Sequence, residues 1–351
     1  MDGRRLLAVA PVAHPGGAEI GLLRLLARLR ARGWDTRVAT PAPGPLRDAA
    51  AAAGHATTTL PLGDLRRGGG RRALSSWPRA HALAGESDVV YLNGSVCGRL
   101  LPAVSGAAAR SVLHVHDIVA RVPRLWRRAD IVLTDSAAAA APLRELDPHV
   151  VFCPVEADPP TVAAPWQPGE GPIVAFVGRL ERRKGAIDLV HAAAAIRAGS
   201  PAARVVLVGD DPYRSDPGYT TAVRAAAAAS GVEQYDWIDD AAGLMRHVDV
   251  LVAPSHQEPF GTVLAEAMAV GTPVVATRVG GLAEVVDDGV TGVLVAPGEP
   301  DALAAAVLEV LARRDELGAN AREHARRFGA DAYADRIERL IAPVAERAAA
   351  R

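Results

Sequence analysis

Two glutamates frame a short loop in the second half of the chain, in the stretch HQEPFGTVLAEAMAVGTPVVAT that runs from His256 to Thr277. Glu258 and Glu266 are separated by seven residues, and Pro-Phe-Gly lies between them just before a predicted helix over Thr262–Val270. Carboxylates only accept hydrogen bonds, and one carboxylate can accept two from a vicinal diol. The pattern therefore predicts that Glu266 binds a ribose and that Glu258, in the loop, reaches the hydroxyls of a sugar.

The start of this predicted helix is also suited to an anion. It follows a predicted strand, Asp249–Ala253, and ligands of open α/β sheets bind at the carboxyl ends of strands. The backbone amides of Phe260, Gly261 and Thr262 would then point at a ligand from the positive end of the helix dipole. A single glutamate here could be a surface charge, but two of them around Pro-Phe-Gly favour a binding site.

A second stretch, VGRLERRKG from Val177 to Gly185, brings positive charge to the end of another predicted strand. Arg179 and Lys184 could grip a diphosphate from two directions, because an arginine binds phosphate oxygens bidentately. Arg182 and Arg183 lie in the same stretch. A solvated basic turn is therefore the alternative interpretation.

The first half of the chain has a glycine-rich turn in PVAHPGGAEI, Pro11 to Ile20. Gly16 and Gly17 would allow a tight turn and a close backbone approach at the start of an amphipathic helix, where free N–H groups can bind a phosphate. A plain turn between a strand and a helix explains the two glycines equally well.

Polar residues also follow two predicted strands of the first half, in HVHD (His114 to Asp117) and in YLNGSVCG (Tyr91 to Gly98). His114 and His116 share one face by strand alternation. His116, at the strand end, could accept a hydrogen bond from a sugar hydroxyl or steady an acceptor, whereas His114 is better explained as a structural histidine. Asp117 could orient His116 or cap the next segment. Asn93 and Ser95 could contact an acceptor, although Ser95 could equally cap a helix.

Short apolar runs alternate with amphipathic ones along the chain, which predicts parallel sheets covered by helices on both faces. One proline-rich stretch without a period interrupts this alternation and is interpreted as a linker. We therefore expect two Rossmann-like α/β domains, at 1–155 and 172–328, a linker at 156–171 and a last helical segment at 329–351, with an active cleft between the domains. The predicted strands are Leu6–Ala10, Thr36–Thr40, Val89–Leu92, Val112–His116, Ile131–Thr134, Val150–Phe152, Ile173–Val177, Val205–Val208, Asp249–Ala253, Pro273–Ala276 and Val293–Val295.

Composition excludes several classes of function. The formal net charge of the 351 residues is -1 and only 4% are aromatic, which argues against a nucleic-acid partner. Cys97 and Cys153 lie far apart, which favours a reducing compartment, and the first apolar run predicts a buried strand instead of a signal peptide, so we expect a cytoplasmic protein. The basic stretches Arg66–Arg72 and Arg121–Arg128 allow a weak contact with a membrane surface, although solvated loops explain them better.

These motifs resemble those of the retaining GT-B glycosyltransferases of family 4. The likeness covers nearly the whole chain and is strongest over 173–310, where Glu258-x7-Glu266, VGRLERRKG and PDALAAAV match in order. It implies two Rossmann-like domains facing a central cleft, with a nucleotide-sugar donor held mostly by the second domain and an acceptor held mostly by the first. It also implies that the last helix crosses back to the first domain.

The same resemblance implies roles for single residues. Arg179, Lys184 and the Phe260–Thr262 amides would bind the donor diphosphate, and Gly17 would approach it from the other domain. Glu258 would hold the donor sugar, Glu266 would take the ribose, and His116 would face the transferred sugar. One departure concerns Asp239 in YDWIDD, which replaces a frequent glycine in the segment that shapes the base pocket.

The resulting hypothesis is a retaining transfer from a UDP- or GDP-sugar to the hydroxyl of a small-molecule or lipid-linked acceptor, with no cofactor. No Asp-x-Asp occurs in the chain, and the basic pair can neutralise the leaving diphosphate, so no essential metal is expected. The alternatives are an epimerase or a phosphorylase of the same fold, or a nucleotide-sugar-binding protein without catalysis.

Overall fold

The computed structural model describes residues 4–63, 73–212, 214–238 and 241–349. The chain divides into two compact units. The first unit combines Met1–Pro154 with Ala330–Arg351, and the second is Val155–Gly329. The basic stretch Arg66–Arg72 and the aspartate at position 239 lie outside the described residues.

The first unit is built on a parallel sheet of seven strands in the order β3-β2-β1-β4-β5-β6-β7. This order reverses between β1 and β4, which is the topological switch point at which open α/β sheets place their ligands. The strands are β1 Arg5–Val9, β2 Asp35–Thr40, β3 Ala56–Thr59, β4 Val89–Asn93, β5 Arg110–Val115, β6 Ile131–Thr134 and β7 His149–Val150.

Helices cover both faces of this sheet, because its central strands are apolar on both sides. One face packs against the first helix, Gly17–Ala31, and the final helix, Ala330–Ala349. The opposite face packs against the segments between β3 and β7. These segments are the helices Trp77–Gly85, Leu101–Val104 and Ala137–Ala140 and the 3-10 turns Ser95–Leu100, Arg124–Arg128 and Ala141–Leu146. A further helix, Pro45–Ala52, lies between β2 and β3.

The second unit repeats this architecture with a parallel sheet of six strands in the order β10-β9-β8-β11-β12-β13. The switch point lies between β8 and β11. The strands are β8 Ile173–Val177, β9 Arg204–Val208, β10 Glu233–Tyr235, β11 Val250–Ala253, β12 Val274–Thr277 and β13 Gly292–Val295. The helices are Ala186–Gly199, Pro217–Ala229, Ala241–Leu244, Thr262–Ala269, Leu282–Val285, Pro300–Ala312 and Arg314–Ala325, with 3-10 turns at Arg182–Lys184, Met245–His247 and Arg326–Phe328.

The predicted α/β class with two parallel sheets is confirmed, and Ile131–Thr134 and Ile173–Val177 are strands over the predicted residues. Two strands were missed, β3 (ATTT) and β10 (EQY). Both lie at a sheet edge, and neither is fully buried, so their sequences lack the apolar run that marks a central strand. The predicted strand Val150–Phe152 is shorter, ending at Val150.

The segment predicted as a linker lies within the second unit and packs on it. His247 Nε2 lies 2.9 Å from the carbonyl oxygen of Val162, and Arg246 pairs with Asp158. The final helix lies within the first unit, where Trp34 Nε1 donates to Glu338 Oε1 at 2.8 Å. Among the described residues, no helix combines the length and apolarity that crossing a bilayer requires.

Candidate functional site

In the second unit, two loops at the carboxyl ends of β8 and β11 are tied together through their backbones. The carbonyl oxygen of Arg183 accepts from the N–H of His256 at 2.7 Å and from that of Gln257 at 3.3 Å. The loop after β11 is anchored again where the Gly281 N–H donates to the Glu258 carbonyl at 2.9 Å. These bonds fix the position of the side chains that the two loops carry.

Two glycines make this close approach possible. Gly185 has a φ of 66°, and a Cβ at this position would lie 1.9 Å from the carbonyl oxygen of Pro254. A Cβ at Gly281 would lie 2.6 Å from the Cα of Phe260. Real Cβ atoms do not tolerate such distances, so a side chain at either position would push the loops apart.

The tied loops bring together a cation cluster, which we define as Arg179, Glu181, Arg183, Lys184 and Glu258. Lys184 forms an ion pair with Glu258, and Arg183 Nη1 lies 3.7 Å from the same carboxylate. Glu181 holds Arg179 at 2.7 Å with one oxygen and Arg183 at 2.9 Å with the other. Three positive and two negative side chains leave the cluster with a net charge of +1 when all are ionised.

Burial and neighbouring cations act on Lys184. Burial lowers the pKa of the Lys184 ammonium, and the charges of Arg183 and Arg179 lower it further, while Glu258 opposes them. The pKa of Lys184 therefore lies below its usual value. A second anion beside Lys184 would stabilise its charged form.

The helix Thr262–Ala269 begins directly after this cluster, at the predicted residue. Gly261 caps it with a φ of 96°, and N–H groups in the first turn of a helix have no intrahelical acceptor. The side chain of Phe260 is 2% exposed and packs edge-on against Phe328 at a centroid distance of 5.5 Å. The Phe260 side chain therefore belongs to the packed core, and only its backbone is placed as the sequence predicted for a ligand contact. Glu266 lies in the second turn of this helix and is 7% exposed.

A small cleft lies at the carboxyl ends of β9 and β10, beside Leu180 of the loop after β8. Its walls combine aliphatic, aromatic and charged side chains. They are formed by Leu180, Leu207, Gly209, Arg224, Gln234, Tyr235 and Asp236.

In the first unit, polar side chains meet at the carboxyl ends of three neighbouring strands. In the register of the sheet, Asn93 of β4 pairs with His114 of β5, which pairs with Leu133 of β6. Because side chains alternate between faces, Tyr91, His116 and Asp135 lie on the same face as these three residues. This face is the one that packs against the first and final helices.

These residues form a histidine cluster, which we define as Tyr91, Asn93, His114, His116 and Asp135. Asp135 Oδ2 lies 2.8 Å from His116 Nδ1, and Asp135 Oδ1 lies 2.8 Å from His114 Nε2, the latter outside the angular range of a regular hydrogen bond. His116 Nε2 lies 3.0 Å from Asn93 Oδ1, and His114 Nδ1 lies 2.6 Å from the Tyr91 hydroxyl.

Burial and the shared carboxylate move the pKa values of the two histidines in opposite directions. For His114, burial and the charge of His116 lower the pKa to about 4. Burial also opposes the charge on His116, but Asp135, Glu19 and Asp117 outweigh it, so its pKa is raised. The pKa of Asp135 lies below its usual range because the two histidines outweigh the effect of its burial.

The structure excludes one of the alternatives left open for each of two residues in this region, Asp117 and Ser95. Asp117 does not orient His116, because Asp117 accepts instead from the Ser95 hydroxyl at 2.7 Å, and Asp135 takes the place at His116. Ser95 does not cap a helix, since it is the first residue of a 3-10 turn that Gly94 precedes. Asn93 is 1% exposed and bonded to His116, whereas Ser95 is partly exposed and Asp117 exposed.

The glycine turn of the first unit already holds a carboxylate. Gly16 caps the helix Gly17–Ala31, and its N–H donates to Glu19 Oε2 at 3.0 Å. Glu19 is 6% exposed. A phosphate could reach the Gly16 amide only by displacing Glu19, and Gly17, the first residue of the helix, remains as the predicted contact.

Within the described part of the chain, His114, His116 and Asp135 are also a group that could hold a metal ion, because their ligand atoms lie within 4.8 Å of one another. The contact of 2.8 Å between His116 Nδ1 and Asp135 Oδ2 is nevertheless typical of a hydrogen bond.

Sequence reasoning missed Asp135 and Glu181. Asp135 directly follows β6, and a polar residue at the end of a strand adjacent to β5 was the signal that could have identified it. Glu181 lies between the basic residues of the loop after β8, so its alternation with Arg179 and Arg183 was visible. Arg183, interpreted as part of a solvated turn, belongs to the cation cluster.

Comparison with known proteins identifies the second unit. Residues 171–313 match the family model described as Glycosyl transferases group 1. The D-inositol 3-phosphate glycosyltransferase of Geodermatophilus obscurus is 40% identical over 190 residues, covering 51% of this chain and 42% of that protein. The glycogen synthase of Mycobacterium tuberculosis is 33% identical over 256 residues, covering 67% of this chain and 58% of that protein. The chain thus spans about half the length of the curated relatives it matches.

Among solved structures, HepE of Anabaena in complex with UDP and glucose aligns with a TM-score of 0.82 at 23% identity, covering 96% of this chain and 99% of that one. This similarity establishes the GT-B fold that the sequence predicted.

Proposed function

Because residues 171–313 belong to the group 1 glycosyl transferases, we propose that this chain is a retaining glycosyltransferase that transfers a sugar from a UDP-sugar to an acceptor hydroxyl without an essential metal. One observation carries the proposal. The cation cluster, of which Glu258 is a member, lies just before the start of the helix Thr262–Ala269 at the switch point of the second sheet.

The cation cluster fits a diphosphate. Lys184 and Arg179 are each held by a glutamate. A diphosphate placed between them would offer more negative charge than either carboxylate, and charge-assisted bonds to phosphate are short and strong. As the bond to the sugar breaks, charge accumulates on the leaving diphosphate, which Lys184, Arg179 and the first amides of the helix would stabilise.

Release of Lys184 to the diphosphate would free Glu258 for the transferred sugar. The Glu258 carboxylate could then accept hydrogen bonds from sugar hydroxyls. Glu266, in the second turn of the helix Thr262–Ala269, would accept hydrogen bonds from the ribose diol. The cleft beside Tyr235 and Asp236 is the proposed site of the base. Retention follows in this proposal from an acceptor that attacks on the face of the leaving group, for which no covalent nucleophile is required.

Names of relatives support the choice of probes. HepE was solved with UDP and glucose, which favours UDP over GDP as the donor nucleotide. Curated relatives are called D-inositol 3-phosphate glycosyltransferase and glycogen synthase. We therefore propose a phosphorylated polyol or an α-glucan as the first acceptors to test.

The first experiment is calorimetric titration of the full chain with UDP, GDP, ADP and dTDP, without added metal. We expect UDP to bind, and the double variant Arg179→Ala/Lys184→Ala to lose that binding while Arg182→Ala, on the same loop, retains it. If none of the four nucleotides binds, the donor site is wrong.

The reaction itself is tested with UDP-sugars and the two acceptors. An α-configured product from an α-configured donor, observed by the anomeric proton coupling, would support retention, and an inverted product would refute it. EDTA should leave the rate unchanged if no metal is essential, so a rate that EDTA abolishes would refute metal independence.

A further inference from the structure

A single buried carboxylate serves two histidines in the first unit. Asp135 is 2% exposed, and its two oxygens lie 2.8 Å from His114 and from His116. The two imidazole rings are only 3.9 Å apart between centroids. Two imidazolium cations at this separation would repel each other, and one carboxylate can neutralise one of them. Only one of the two histidines is therefore expected to be a positively charged imidazolium.

The hydrogen-bond partners identify His116 as the charged one. Its Nδ1 faces Asp135 Oδ2 and its Nε2 faces Asn93 Oδ1. The orientation of the Asn93 amide follows from its Nδ2, which donates to the carbonyl oxygen of Ala18 at 3.5 Å. Both ring nitrogens of His116 thus face oxygen acceptors, and only an imidazolium can donate from both.

The partners of His114 identify it as neutral. Its Nδ1 faces the Tyr91 hydroxyl at 2.6 Å, and Tyr91 is hydrogen-bonded in turn to Tyr333 of the final helix. The Tyr91 hydroxyl can donate to a bare Nδ1, which leaves the single proton of His114 on Nε2, beside Asp135. His114 is fully buried, which disfavours a charge on it.

Charged groups from each neighbouring element act on His116. Asp135 follows β6, Asp117 follows β5, and Glu19 belongs to the first helix, and all three favour the charged ring. His114 of β5 is the fourth titratable neighbour, and its charge would disfavour that of His116. Strand β4 contributes Asn93, which is uncharged.

We propose that Asp135 is a positioning residue that holds His116 as an imidazolium, with the neutral His114 and Tyr91 bracing its other oxygen. The effect of this charge on a substrate, described next, rests on the proposed function. An imidazolium has no lone pair, so His116 could not accept a hydrogen bond from a sugar hydroxyl. It would donate from Nε2 to a substrate oxygen that takes the place of Asn93 Oδ1, while Nδ1 stays on Asp135. The positive charge would also favour an oxygen on which negative charge develops.

Long-range proton–nitrogen NMR spectra of the full chain with ¹⁵N-labelled histidine test this directly. The chain has ten histidines, and His114→Gln and His116→Gln assign the two signals. At pH 7.5 we expect two protonated nitrogens on His116 and one, Nε2, on His114. A neutral His116 in the wild-type chain would overturn the proposal without any variant.

The variant Asp135→Asn tests the role of the carboxylate. We expect His116 to lose its charge at pH 7.5 and its titration midpoint to fall below the ordinary histidine value, while Asp135→Glu restores the charged ring. A His116 that stays charged in Asp135→Asn would overturn the role of Asp135. If Asp135→Asn does not fold, Asp135→Glu and the wild-type spectrum still decide the protonation state.

Turnover gives a readout that a merely structural role would not move. In Asp135→Asn we expect kcat/KM to fall on the order of a hundredfold at pH 7.5, and the deficit to shrink toward pH 5.5, where an unassisted histidine is protonated. A deficit independent of pH would contradict the proposal. The NMR result does not depend on turnover, so a failure of the glycosyltransferase proposal is distinguishable from a failure of this one.

A metal ion is the competing occupant of the same residues. Zinc titrated into the full chain should leave the signals of His114 and His116 unchanged if the cluster is a proton-bonded network. Stoichiometric zinc binding that removes the Nε2 proton of His114 and the Nδ1 proton of His116 would show a metal site and overturn the proposal.

Discussion

The cation cluster and the histidine cluster occupy equivalent places, each at the carboxyl ends of strands beside a switch point, but their ionic contacts differ. Every member of the histidine cluster comes from a strand or a strand end, and its partners are held in register by the sheet. The cation cluster lies on loops, and Arg179 and Arg183 keep 34% and 31% of their side chains exposed.

This difference separates two ways of handling charge. In the histidine cluster a proton and a carboxylate are fixed before any ligand arrives, which is the preorganisation that electrostatic stabilisation requires. In the cation cluster the glutamates occupy positions that a stronger anion can take. The histidine cluster is therefore suited to hold a fixed charge, and the cation cluster is suited to exchange a glutamate for a ligand anion.

Substitution of Lys184, in the cation cluster, should have the largest effect on the reaction rate. In Lys184→Ala we expect the release of UDP from a UDP-sugar to slow by about 10²- to 10³-fold, the typical loss on removing one group that stabilises developing charge. Arg182→Ala is the matched control, because its side chain lies on the same turn, is 72% exposed and pairs with Asp216. Full activity in Lys184→Ala would refute the diphosphate role of the cluster.

A fall in pH should destabilise the unit that holds the histidine cluster more than the unit that holds the cation cluster. His114 is buried with a pKa lowered to about 4, so the unfolded chain binds a proton there between about pH 6.5 and 4 that the folded chain refuses. The first unit should lose on the order of 3 kcal/mol of stability as the pH falls through this window.

The shifted pKa values of His116 and Asp135, in the same cluster, do not cancel this loss of stability. The raised pKa of His116 gives stability that is complete below about pH 6.5 and is lost only as the pH rises through the folded pKa. The lowered pKa of Asp135 gives stability that is present above about pH 4 and is lost on further acidification. Hydrogen exchange should therefore show a larger fall in the opening free energy of β5 than of β11, and equal falls would contradict the assignment.

Glu266→Ala tests the proposed ribose contact in the second unit. Loss of hydrogen bonds to a charged acceptor is worth about 1.5 to 3 kcal/mol, so we expect UDP to bind about ten- to a hundredfold more weakly by calorimetry. Glu309→Gln, on an exposed helix surface of the same unit, is the control. Equal UDP affinity in wild type and Glu266→Ala would remove the ribose from our proposal.

The smallest effect is expected at the final helix. Glu338→Ala leaves the Nε1 of Trp34, a residue only 2% exposed, without its acceptor, which should destabilise the first unit by about 1 to 2 kcal/mol. Asp335→Ala removes an exposed partner of Arg32 and should change stability by less than about 1 kcal/mol. UDP affinity should stay at the wild-type value in both variants, and a fall would show that the units are coupled.

Central strands, the helix start at Thr262 and the residues of the two charged loops could be predicted from the sequence, because apolar runs and strand–loop junctions are local signals. The edge strands β3 and β10 could not, since an edge strand need not be apolar. Asp135 was missed because its partners lie on β5, and strand order is not a local property. Glu181 was missed although its alternation with Arg179 and Arg183, the two cations it holds, was visible in the sequence.

The final helix closes one side of the core of the first unit through Tyr333, Ala334, Ile337 and Ile341. These residues are translated after the whole second unit at Val155–Gly329. The amino-terminal part of the first sheet therefore leaves the ribosome with that face still uncovered, and it stays so while the second unit is being made. The core of the first unit is therefore completed only after the second unit has been made, and a chain truncated before Ala330 exposes apolar surface that marks it as unfinished.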